Sequence, residues 1–150
     1  MKVTITYLSF LLSSLIISSQ AYSLCVDVPK ANIRMGPGTK YEKAWEVYRF
    51  MPFEAVGTST DRTWYAIKDL DGDVNWIHKS LVSDAFQCAV VKSSQVNVRT
   101  GPGTRHGKSS LSPALRYDSF KILKKQPPWI KVKDSSGNIG WVHSRYLWIQ

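Results

Sequence analysis

Asn97-Val98-Arg99-Thr100-Gly101-Pro102-Gly103-Thr104 repeats a phrase already used at Asn32-Ile33-Arg34-Met35-Gly36-Pro37-Gly38-Thr39. The offset is 65 residues. Without a gap it also aligns Trp64 with Trp129, Lys68 with Lys133, Asp69 with Asp134, Gly72 with Gly137, Trp76 with Trp141 and His78 with His143. One register held over such a span marks a duplication. The middle of each unit, roughly 45–60 and 110–126, has diverged.

Each unit reads as short strands and turns. Ala31 to Arg34 and Val96 to Arg99 alternate apolar and polar residues like half-buried strands, and Gly-Pro-Gly-Thr then forces a tight loop. Trp64 to Lys68 and Trp129 to Lys133 alternate again. Asp71-Gly72-Asp73 and Ser136-Gly137-Asn138 have the composition of hairpin turns, in which glycine supplies a positive φ. Val74 to Ile77 and Ile139 to Val142 are the returning strands. No stretch after the N-terminal segment holds a helical period. About five short strands in roughly 55 residues are buried most economically by closure into a small barrel. The expected architecture is all-β: two small β-barrels in tandem after an N-terminal signal peptide, with 83–92 joining the copies.

The N-terminal segment has the order of a secretory leader. Met1 and Lys2 give a positive start, Val3 to Ser19 carries no charge, and Ser19, Ala21 and Ser23 offer small residues for cleavage after Ala21 or Ser23. The expected division is 1–23 signal peptide, 24–84 first barrel and 85–150 second barrel. The apolar stretch is short and diluted by Ser and Thr for a spanning helix. No membrane span is expected once the leader is removed. Lipid attachment at Cys25 is excluded, because Leu24 and Tyr22 occupy positions that call for a small and an aliphatic residue. Export predicts a disulfide between Cys25 and Cys88, the only cysteines. The net charge of +9 is spread along the chain and favours anionic partners in general.

Asn97 to Thr104, Trp129, and Gly140-Trp141-Val142-His143 running on to Tyr146-Leu147 together resemble bacterial SH3-type domains. The first copy keeps Asn32 to Thr39, Trp64 and Trp76 to His78, but has Asn75 for Gly140 and Leu81 for Tyr146. The resemblance covers both repeats. It implies that the two small barrels are SH3-like β-barrels in tandem, exported modules of a kind that bind cell wall or peptides, without naming one ligand. By the same resemblance, the tryptophan at a strand start and the tyrosine near the last strand line a peptide groove. That places Trp129 and Tyr146 in a groove of the second domain and Trp64 in the first. Tyr41 and His106, which follow the glycine loops, are candidates for the facing wall.

Nothing in the sequence assembles a catalytic site. The cysteines are used on each other, and His78 and His143 occupy matching places beside Trp76 and Trp141, which favours turn-capping; His143 is also kept as a ligand candidate. Three dispersed histidines lack zinc spacing. Asp69, Asp71 and Asp73 alternate like a calcium loop, but a hairpin turn accounts for them. Gly-Pro-Gly lacks the Lys-Ser or Lys-Thr ending of a phosphate loop, so no cofactor is expected. Trp76 and Trp141, mid-strand among aliphatic residues, are assigned mainly to the core. Two functions remain. One is a non-enzymatic periplasmic or secreted module recognising cell-wall peptide or glycan (peptidoglycan). The other is an envelope protein-protein interaction or assembly factor. Nucleic acid is set aside because the leader removes the chain from the cytoplasm.

Overall fold

The computed structural model describes residues 22–150. The expected signal peptide lies outside the described residues except for Tyr22 and Ser23. No α-helix occurs among the described residues, so none is long and apolar enough to cross a membrane.

The first barrel comprises β1 (Tyr22–Val26), β2 (Lys30–Arg34), β3 (Lys43–Tyr48), β4 (Pro52–Thr58), β5 (Trp64–Lys68), β6 (Val74–His78) and β7 (Val82–Ser83). They form one antiparallel sheet in the order β3-β2-β6-β5-β4-β1-β7. The second comprises β8 (Cys88–Val91), β9 (Gln95–Val96), β10 (Ala114–Leu115), β11 (Ser119–Gln126), β12 (Trp129–Lys133), β13 (Ile139–His143) and β14 (Leu147–Ile149). Here five strands run β13-β12-β11-β8-β14, β9 pairs with β10, and Arg99 bridges to Trp141. Seven strands per copy exceed the expected five: in the second the two-residue pieces β9 and β10 make the difference, and in the first it is the two-residue β7 together with β1, which begins in the expected leader.

The best-preserved part is the hairpin β5–β6 and its copy β12–β13. Trp64 pairs with His78 and Lys68 with Val74, as Trp129 pairs with His143 and Lys133 with Ile139. Gly72 at φ 90° and Gly137 at φ 93° supply the left-handed residue that each turn requires. After each hairpin comes a single 3₁₀ turn, Lys79–Leu81 or Ser144–Tyr146.

Ile33, Val47, Phe53, Ile67 and Ile77 fill the first core, and Val98, Phe120, Ile130, Val132 and Val142 the second. Residues 83–92 are not simply a connection. All four residues of β8 are buried, and they alternate between the two cores. Val90 packs into the first core, whereas Ala89 and Val91 belong to the second. Trp148 of β14 also packs against the first core. Cys25 and Cys88 are joined, as their number and the expected export imply, and sit with Phe50 and Phe86 in a small apolar cluster. Trp141 is buried as expected, but Trp76 is half-exposed.

Candidate functional site

Each barrel has a cleft at the start of its fifth repeat strand, and the two clefts correspond residue for residue. The nine residues lining the first are, moved by 65 positions, the nine lining the second. Asn32, Arg34, Thr39, Trp64, His78 and Leu81 thus answer to Asn97, Arg99, Thr104, Trp129, His143 and Tyr146. The volumes are about 290 Å³ and 180 Å³.

The histidines have a common structural task. His78 Nδ1 accepts from the Ser80 amide at 3.2 Å and His143 Nδ1 from the Arg145 amide at 3.3 Å, each capping its 3₁₀ turn. Each ring meets its neighbouring tryptophan edge to face, at 5.2 Å for Trp64 and 5.5 Å for Trp129. The cap orients the ring, and the ring fixes one side of the tryptophan.

Four substitutions separate the clefts, the mildest being Ala31 against Val96. Where the first has Lys30, Ser80 and Leu81, the second has Gln95, Arg145 and Tyr146. His143 contacts Tyr146 at 6.0 Å, so Trp129, His143 and Tyr146 form a continuous aromatic run. Arg145 lies over the Tyr146 ring at 4.6 Å and bonds its hydroxyl. Trp64 is only 7% exposed and shows little face to solvent, whereas Trp129 is partly exposed.

Tyr41 and His106 stand elsewhere. A side chain on Gly36 would come within 2.4 Å of the Tyr41 ring, and one on Gly101 within 2.5 Å of the His106 ring. Both rings lie down on the glycines of their own loops. Arg34 Nη1 donates to the Tyr41 carbonyl at 2.7 Å and Arg99 Nη1 to the His106 carbonyl at 2.8 Å, closing those loops. The clefts take Thr39 and Thr104 from the loops instead.

Two family comparisons agree with this geometry: residues 27–84 match one bacterial SH3 domain family and residues 94–147 another. The chain belongs to the bacterial SH3 domain proteins. A putative N-acetylmuramoyl-L-alanine amidase, YrvJ of Bacillus subtilis, is 34% identical over 65 residues, which are 43% of this chain and 12% of that protein. NlpC1 from Trichomonas vaginalis is 13% identical at a TM-score of 0.38, over 94% of this chain and 50% of that one. An NlpC/P60 family protein from Bacillus cereus is 9% identical at 0.37, over 85% and 56%. The tandem thus spans a small part of the amidase and about half of each solved chain.

A third cleft, which the sequence did not announce, lies between the two SH3 domains. It measures about 460 Å³ and is lined by Trp45, Tyr48 and Met51 from one, Tyr117 and Ser119 from the other, and Asp69, Asp71 and Asp73 of the first hairpin turn. Asp71 crosses the junction, accepting from Tyr117 at 2.5 Å and from Arg116 at 2.6 Å. Those bonds, Tyr117 foremost, hold its carboxyl below the usual range. Burial pushes the Asp69 carboxyl up. The one available signal was divergence: apart from the turn, the lining falls in the segments where the repeats differ most.

Proposed function

We propose that this tandem is an exported, non-enzymatic binding module that recognises cell-wall peptide or glycan through the cleft of the second domain. The observation that carries this reading is the asymmetry between the clefts. Only the second offers a partly exposed tryptophan beside a tyrosine and an arginine, while the first buries Trp64 and has Leu81. Aromatic faces stack on sugars and hold peptide turns, and Arg145 adds a cation for anionic wall material. The match of part of the chain to a protein named as an N-acetylmuramoyl-L-alanine amidase supports the same target and an extracytoplasmic location. In this reading Trp129, Tyr146 and His143 form the contact surface, with Trp64 its buried counterpart. Tyr41 and His106 stabilise their loops.

The test is retention of the mature protein on purified peptidoglycan at two salt concentrations, beside Trp129→Ala. Retention at both salts, weakened about tenfold or more in the variant, is the expected result, since a central aromatic anchor commonly contributes on that scale. Retention only at low salt reduces the interaction to charge. No retention, with a protein captured by crosslinking in the envelope, favours the assembly-factor reading.

A further inference from the structure

The cleft between the domains is acidic and aromatic in a protein whose net charge is +9. Asp69 is only 8% exposed, and its Oδ1 accepts from the Asp71 and Asp73 amides at 3.0 Å each. Its Oδ2 has no hydrogen-bond partner among the described residues. The repeat shows what is missing. In the second turn Asp134 Oδ1 accepts from Ser136 and Asn138 in the same way, but Oδ2 also accepts from the Asn138 side-chain amide at 2.9 Å. Asp73 stands at the position of Asn138 and supplies a second carboxylate instead of a donor. Asp69 thus spends one oxygen on its own turn and leaves the other, beside a second carboxylate, open to the cleft, where a ligand's donor can reach it.

The surroundings say which kind. The exposed rings of Tyr48 and Tyr117, with Trp45 and Met51, offer apolar and π surface leading to the two acids. Glu46 is engaged by Lys30 at 2.9 Å and Asp71 by Arg116, so Asp69 and Asp73 are the acids left for a ligand. No group of three or more His, Cys, Asp or Glu among the described residues is arranged to hold a metal ion. The geometry points to a second binding site here for an ammonium group on an aliphatic stem, as a lysine or related diamino acid of a peptide presents it. Asp69 and Asp73 take the ammonium and the aromatic side chains take the stem. The site shares no residue with the Trp129 cleft and does not depend on that cleft's function.

The probe is Nα-acetyl-lysine amide, titrated into the isotopically labelled, oxidised mature protein and followed by amide chemical shifts. Saturable shifts are expected at Asp69 to Asp73 and at the Trp45 indole, and none there with the Nε-acetylated probe. Asp73→Asn restores the internal donor of the second turn and weakens the probe about tenfold or more, the scale of one charged hydrogen bond. Trp129→Ala leaves this binding intact, which separates the site from wall recognition. Absence of saturable shifts overturns the proposal. So do equal shifts with the neutral probe, or unchanged affinity in Asp73→Asn.

Discussion

Gly140 sits where a β-carbon would come within 2.4 Å of Val98 Cγ1 and 2.8 Å of Ser109 Oγ. The first copy has Asn75 at this position, so the two barrels close differently around one residue. Gly140→Ala is expected to cost about 1–3 kcal/mol, the usual scale of overpacking. Gly107→Ala is the control, since nothing lies within 4 Å of the added methyl. Chemical denaturation of both variants checks the pair, and equal stability would show that the barrel yields at Gly140. Residue identities told much at this scale: the capping histidines were legible from their repetition. The directions of Tyr41 and His106 were not. A side chain in an irregular loop has no period to orient it, and the glycines beneath left room for the rings to fold back.

At the scale of elements, hairpins and turns were legible because alternation and a glycine turn are local signals, and β5–β6 with β12–β13 obey both. The edges were harder. Tyr22 and Ser23, placed in the leader by the small-residue rule, belong to β1 and pair with Ala55 and Glu54 of β4. Tyr22 also meets the Tyr65 ring edge to face at 5.8 Å. Cleavage after Ala21 leaves this strand whole, whereas cleavage after Ser23 removes two paired residues. The mature N-terminus is therefore expected at Tyr22, and the intact mass of the exported protein decides between the two. A start at Leu24 would mean that β1 functions without its first pairs. The strand β8 was missed for a related reason. Cys-Ala-Val-Val does not alternate, and a strand buried on both faces reads as a plain apolar run.

For the molecule as a whole, the duplication gives two barrels, and the packing joins them into one body. Val90 serves the first core from a strand of the second sheet, Trp148 packs beside it, and the disulfide closes the same region. Val90→Ala removes two buried methyl groups and is expected to cost about 1.5–3 kcal/mol, cavity included. Because the strand belongs to both cores, amide hydrogen exchange should accelerate to a similar degree in β5 and in β12. Acceleration confined to one barrel would show that the halves unfold separately.

Gene duplication ordinarily yields interchangeable parts that can be cut out, multiplied or traded between proteins. A wall held in common ends that freedom: either half excised at the repeat boundary would carry a raw apolar face, so β8 turns two modules into one inheritable unit.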